Sequence, residues 1–132
     1  MSSTSVLSDI PGGKSLLEWF GRIPRFHDAK LLEISFPGRA AGLMRIHAWN
    51  MTDQVDAKGY FLLDKHAIVT LVLGEVSAIS CTDFEMVPGI IFDLEIAKME
   101  ENFRIEWDAS YGVSGFVIAK HIKISLVPTA SI

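Results

Sequence analysis

Apolar and polar residues alternate through much of the chain, a pattern typical of strands that bury one face. The first clear example is 30–36, where Leu32, Ile34 and Phe36 share the side predicted to face the core. Pro37-Gly38 follows directly. Proline cannot continue a strand ladder, and glycine accepts the backbone angles of a tight turn. The stretch therefore predicts a first strand followed by the turn of a hairpin.

The same alternation predicts further strands along the rest of the chain. They fall at 43–49, 60–63, 66–73, 90–97, 103–108 and 116–126, with a weaker one within 75–85. The second and third of these segments form either two strands or one bent strand. The connections are too short for parallel crossovers, which each need about a dozen residues. We expect an α+β domain with a mostly antiparallel sheet of about six to eight strands and a short N-terminal helix.

The N-terminal helix is predicted from its start and stop signals. Ser15 and Glu18 match the capping box, in which a hydroxyl and a carboxylate bind free backbone N–H groups. An apolar stripe follows, formed by Leu16, Leu17, Trp19 and Phe20. Gly21 is placed to end the helix in the left-handed conformation. Residues 1–13 are expected to form a flexible arm, and 14–132 a single α+β domain.

The composition is that of one folded domain. Of the 132 residues, 49% are hydrophobic and 21% are charged, without the depletion of apolar residues that marks disorder. No apolar run approaches the roughly 20 residues that span a bilayer, and the N-terminus lacks the pattern of a secretory signal. We therefore expect a cytoplasmic protein with no membrane partner.

Charge and cysteine content exclude some classes of partner and site. The formal net charge of −4 disfavours nucleic acid, whose phosphates call for a basic patch, and suits a basic partner instead. Cys81 is the only cysteine, which excludes an intramolecular disulfide framework and a multi-cysteine zinc site. We expect Cys81 to be a small buried hydrophobe rather than a nucleophile.

The histidines are candidate functional residues because imidazole is both a metal ligand and an acid–base group. The four are His27, His47, His66 and His121, and no two have the spacing of metal ligands on one helix or strand. No metal and no cofactor is predicted, although a zinc site assembled across strands from His and Asp is left open. The polar segment 50–59 is predicted to be a surface loop, and its acids miss the calcium-loop template.

His27 and Asp28 form the sharpest candidate dyad. Neighbours in an extended chain point to opposite faces, so they are poorly arranged to act on one substrate. We expect Asp28 to bind backbone N–H groups of the loop and His27 to pack under the helix. The alternative is a small-ligand-binding protein or an enzyme that uses a cleft around His27 and Asp28, with His66 as a third member.

Trp19 in a short N-terminal helix, followed by Phe26-His27-Asp28-Ala29 and an apolar strand, resembles immunity protein family 50 of bacterial polymorphic toxin systems. The resemblance covers most of 16–127. It implies an antidote that binds and blocks a cognate toxin. We expect the protein itself to be a monomer or weak homodimer. The resemblance implies no catalytic residue, and the chain is not predicted to be an enzyme. Trp19, Phe26, His27 and Asp28 are then structural residues.

An acidic surface is predicted on the C-terminal strands. Four carboxylates lie out of phase with the apolar residues beside them, namely Asp93, Glu95, Glu106 and Asp108. If their strands are neighbours, the carboxylates share one face, diluted by Arg104 and Lys123. Ile91 and Tyr111 are candidate exposed apolar anchors. The face is either an ordinary solvated surface or the binding surface for a basic toxin, with 50–59 as the next candidate.

Overall fold

The computed structural model describes residues 3–21, 24, 26–83 and 88–129. Within these ranges the chain forms two short helices and six strands: α1 Ser3–Ser8, α2 Gly13–Phe20, β1 Lys30–Gly38, β2 Ala41–Val55, β3 Phe61–Thr82, β4 Gly89–Met99, β5 Asn102–Tyr111 and β6 Ser114–Pro128. The predicted α+β class with a mostly antiparallel sheet is confirmed. Residues 1–2 of the predicted arm and 84–85 of the weak strand lie outside the described ranges.

The six strands close into an antiparallel barrel in the order β1-β2-β3-β6-β5-β4. Closure depends on a short pairing of β1 with β4, in which Lys30 opposes Ile90 and Leu31 opposes Gly89. Inward-facing side chains fill the interior, among them Met44, Val69, Ile105 and Val117, each at 0% exposure. A closed barrel leaves no sheet edge along its wall.

The N-terminal segment is part of the core, so the prediction of a flexible arm is wrong for its described residues. Helix α1 brings Val6 and Leu7 into the core, and Ile10 is buried just after it. The turn before α2 is fixed to β6, because the Ile124 N–H donates to the Pro11 carbonyl over 2.8 Å. Burial of three aliphatic side chains explains why a segment with weak sequence signals is ordered.

Helix α2 begins at Gly13, so the predicted capping box at Ser15 and Glu18 is wrong. The N-cap is Gly12, in the left-handed region at φ +87° and without a side-chain cap. A Cβ at Gly12 would collide with the Ile124 carbonyl, so contact with β6 sets the helix start instead of a local cap. The predicted C-terminus is confirmed, since the left-handed Gly21 donates its N–H to the Leu17 carbonyl over 2.8 Å.

Bulges break the strict alternation that the sequence suggests. In β1 the buried residues are Leu31 and Ile34, three positions apart, and the register with β2 shifts between Leu31 and Glu33. In β6 the buried set changes phase after Ala119 and resumes at Ile122, next to a bulge of the neighbouring β3 between Val76 and Ala78. An extra residue in a strand rotates the following side chains to the other face.

Strands β2 and β3 continue past the barrel as a two-stranded hairpin. Pairing of β2 with β1 ends at His47, and pairing of β3 with β6 ends at Ala67. We call residues 49–66 the β2–β3 arm. The prediction of a loop at 50–59 is wrong for the first half of this segment, because β2 extends to Val55. At the turn the Asp56 carboxylate accepts the N–H groups of Lys58 and Tyr60 over 2.8 and 3.1 Å.

Candidate functional site

The four predicted carboxylates lie together on the outer face of β4 and β5. Asp93 is directly opposite Asp108, and Glu95 is directly opposite Glu106. Glu95, Glu106 and Asp108 are exposed, and Asp93 is half-buried. Two like-charged cross-strand pairs in succession are unfavourable by themselves. The face therefore carries negative charge that a basic surface would compensate.

The positive charge near this face comes from β5. The Arg104 guanidinium lies 3.3 Å from a Glu106 carboxylate oxygen and 4.1 Å from the centre of the Phe116 ring. Arg104 therefore dilutes the acidic face, as expected. Lys123 does not, because it pairs with Val72 on the far part of β3.

Ile91 is not an exposed anchor, and that prediction is wrong. Its side chain is 1% exposed, whereas Phe92 is 55% exposed. The register between β4 and β5 shifts on both sides of Ile91, so Ile91 points inward and Phe92 outward. Sequence reasoning missed Phe92 because three apolar residues in a row, 90–92, carry no alternation to set the phase.

Tyr111 is exposed as expected, at 57%. It lies opposite Ile90, which is itself 39% exposed. Together with Phe92 these residues form an apolar group beside the first carboxylate pair. We call this surface the β4–β5 face, defined as Ile90, Phe92, Asp93, Glu95, Glu106, Asp108 and Tyr111. Large exposed apolar side chains next to a charged rim are characteristic of protein-binding surfaces.

His27 adjoins the same face and does not pack under α2, contrary to the prediction. Its side chain is exposed, its Nδ1 lies 2.8 Å from the Phe92 carbonyl oxygen, and its ring meets the Phe92 ring edge-on at 5.4 Å. The flanking residues explain this position, because Phe26 and Asp28 are both left-handed, at φ +60° and +65°. Two such residues rotate the turn and place His27 outside.

Asp28 holds the junction mainly through its backbone. Its N–H donates to the Ile91 carbonyl over 2.8 Å, and the Ile91 N–H donates to the Ala29 carbonyl over 2.9 Å. The Asp28 carboxylate lies 3.7 Å from His27 Nε2, and both side chains are at least half exposed. Phe26 is buried. The Phe26-Asp28 turn thus fixes the β1–β4 closure.

The alternative site of His27, Asp28 and His66 is not assembled in the described part of the chain. His66 contacts His47 and Trp49, whereas His27 contacts Phe92. Within the same ranges no group of three or more His, Cys, Asp or Glu side chains is arranged to hold a metal ion.

Two further predicted residues can be placed. Cys81 is half-buried against the core, and burial raises the pKa of its thiol, which keeps it protonated and weakly nucleophilic at neutral pH. Trp19 is half-buried on α2, and its indole N–H donates to the Lys65 carbonyl over 2.9 Å. Trp19 therefore ties α2 to the base of the β2–β3 arm.

The fold and the face together define a small closed antiparallel barrel with an acidic and aromatic outer surface. None of the described helices is long and apolar enough to cross a membrane. No protein-family model matches the chain, and no curated protein matches it either. Among solved structures, an uncharacterised protein from Neisseria gonorrhoeae is similar over 76% of this chain and 92% of its own, with 14% identity and a TM-score of 0.49.

Proposed function

We propose that this protein is an immunity protein, which binds a cognate bacterial toxin in the cytoplasm and neutralises it by protein–protein contact. The observation that carries the proposal is the β4–β5 face, where Phe92 and Tyr111 stand exposed beside two carboxylate pairs. The resemblance of Trp19 and the Phe26-His27-Asp28-Ala29 stretch to immunity protein family 50 supports the same role.

The face has the two components that a tight protein interface needs. Phe92 and Tyr111 can each bury a large area in a partner pocket, and aromatic residues, among them Tyr, are enriched in interfaces and their hot spots. The carboxylates attract a basic surface over a distance of about 10 Å at moderate ionic strength, which speeds encounter and fixes orientation. A toxin with a basic, pocketed surface, such as one that acts on nucleic acid, is the partner that this face fits.

The enzyme or small-ligand alternative has less support. His27 and Asp28 are exposed and belong to the turn that closes the barrel, and His66 contacts a different set of side chains. Without a third group and a shielding wall, an exposed dyad cannot exclude water or hold a substrate in register.

A charge-reversal variant tests the proposed surface. Replacing Glu95, Glu106 and Asp108 with Lys should weaken binding to the cognate toxin by about tenfold or more at low salt. Calorimetry at low and high salt measures this change. The loss should shrink at high salt, because screening removes the attraction in the unmodified protein.

The matched control replaces three exposed carboxylates elsewhere, Asp9, Glu18 and Glu101, with Lys. This variant has the same change in net charge and should keep most of the affinity. Equal losses in the two variants would mean that net charge acts alone, and undiminished binding in the first would place the interface elsewhere, with the β2–β3 arm as the next candidate.

A further inference from the structure

Two histidines lie where the β2–β3 arm leaves the barrel. His47 is the last β2 residue paired with β1, and His66 directly precedes Ala67, where the pairing of β3 with β6 ends. The Thr129 N–H donates to the His66 carbonyl over 3.0 Å at the same point. Any movement of the arm relative to the barrel therefore pivots at these two residues.

The two imidazoles form a shielded pair. His47 is 2% exposed, and its Nε2 lies 3.1 Å from Nδ1 of His66. The Trp49 ring packs on both, at 5.1 Å from the His47 ring and 5.7 Å from the His66 ring. The remaining nitrogens, His47 Nδ1 and His66 Nε2, are buried without a hydrogen-bond partner.

The pairing geometry restricts where protons can sit. In the neutral pair one imidazole donates its N–H to the other, so one remote nitrogen keeps an N–H and the other keeps a lone pair. One additional proton on the neutral pair gives both remote nitrogens an N–H with no acceptor and adds a buried positive charge. Each unpaired buried polar group is costly, and an uncompensated buried charge more so.

The surroundings oppose that additional proton. Burial lowers the pKa of His47, and the neighbouring His66 and Lys30 lower it further. Lys30 faces His47 from β1, and His66 faces it from β3. Among the described residues no carboxylate lies within ion-pairing distance of either ring, so nothing there compensates an imidazolium.

The arm depends on its base for support, because an isolated two-stranded hairpin is at best marginally stable. Besides the histidine pair at its base, the described part of the arm has a few contacts with α2. Asn50 donates a side-chain N–H to the Phe20 carbonyl over 2.9 Å, and the Trp19 indole N–H donates to the Lys65 carbonyl over 2.9 Å. The Lys65 ammonium also lies 4.5 Å from the centre of the Trp19 ring. Farther out the arm exposes apolar side chains, namely Val55, Tyr60, Leu62 and Leu63.

We propose that His47 and His66 form a proton-controlled latch, which holds the β2–β3 arm against the barrel while the pair is neutral and releases it when the pair takes up a proton. The latch adds regulation by mild acid, and it does not depend on the β4–β5 face or on the proposed toxin.

The direction of the pH effect follows from linkage. In a released arm the imidazole of His47 is solvated and titrates near its ordinary value of about 6.5, whereas in the seated arm its pKa is lower. The released state therefore binds more protons below pH 6.5. The latch contributes fully above about pH 6.5 and is lost as the pH falls from there towards the lowered pKa of His47. The carboxylates of Asp and Glu ordinarily titrate near pH 4, below the pH range in which the latch is lost.

Amide hydrogen exchange of the whole protein tests the latch. Exchange rates, corrected for the intrinsic effect of pH, are measured by mass spectrometry at pH 7.5 and 5.5. Protection of arm peptides within 49–66 should fall at least tenfold, while core peptides from β5 should keep theirs. Loss of protection in the arm and in β5 together, or unchanged protection of the arm, would overturn the proposal.

Two variants assign the effect to the pair. The double variant His47→Gln with His66→Gln has no titrating ring at the base, so its arm should show no pH-dependent change. His121→Gln, at an exposed histidine paired with Glu75, should behave as the unmodified protein does. If the double variant fails to fold, the single variant His66→Gln should still reduce the response by several fold. A full response in either would contradict the latch.

Discussion

At the scale of single residues, the direction of the candidate side chains depends on backbone conformations that cannot be predicted from the sequence. Phe26 and Asp28 adopt left-handed angles, and this turn places His27 outside, next to Phe92. The sequence could predict that His27-Asp28 marks the junction, because an Asp at a loop-to-strand boundary is a local signal. It could not predict the side on which His27 lies, since that depends on the left-handed backbone angles of the two residues that flank it.

The role of Asp28 can be tested by substitutions that separate its backbone from its carboxylate. Asp tolerates the left-handed region, which costs Ala about 1 kcal/mol and Gly nothing. We expect Asp28→Ala to lower the free energy of unfolding by about 1 kcal/mol and Asp28→Gly to leave it nearly unchanged, as measured by urea denaturation. Equal losses in both would show that the carboxylate itself holds the junction.

At the scale of elements, the alternation of apolar and polar residues located most strands, yet it could not determine which residues of each strand face the core. The strands at 103–108 and 116–126 were visible because long alternating runs have no competing helical period. Strand β4 shows what is missed, because bulges around Ile91 reverse which of two adjacent apolar residues is buried. Bulges arise from pairing with a partner strand, and a single strand's sequence does not record that partner.

The phase of β4 predicts losses of stability of very different size for two neighbouring substitutions. Ile91→Ala should lower the free energy of unfolding by about 2–5 kcal/mol, since it leaves a cavity in the core. Phe92→Ala should lower it by less than about 1 kcal/mol, since the side chain is mostly in water. Chemical denaturation of both proteins measures the contrast, and a larger loss for Phe92→Ala would mean that the strand is in the opposite phase.

At the scale of the whole molecule, the sequence predicted an antiparallel sheet but not its closure. Closure requires β1 to pair with β4 across about 60 residues, and nothing local specifies so distant a contact. The role of the N-terminal segment was missed for the same reason. Its apolar residues, Val6, Leu7 and Ile10, show no clear period, and they are ordered only because the barrel offers a surface to cover.

Deleting residues 1–11 tests whether that segment belongs to the domain. The deletion exposes the core under three buried side chains and should lower the free energy of unfolding by about 3 kcal/mol or more. Thermal unfolding followed by circular dichroism measures the loss. A flexible arm would be dispensable, so an unchanged melting temperature would show that the N-terminal segment is such an arm.

The proposed binding of a toxin by the β4–β5 face is tested most directly by the affinity of a variant that lacks the aromatic side chains of Phe92 and Tyr111. Phe92→Ala with Tyr111→Ala should fold normally, since both residues are more than half exposed. Loss of two hot-spot residues costs about 2 kcal/mol or more each, about 4 kcal/mol together, so the affinity for the cognate toxin should fall about a thousandfold and protection of toxin-expressing cells should be lost. Unchanged affinity in the folded variant, or no binding of that toxin by the unmodified protein, would contradict the account.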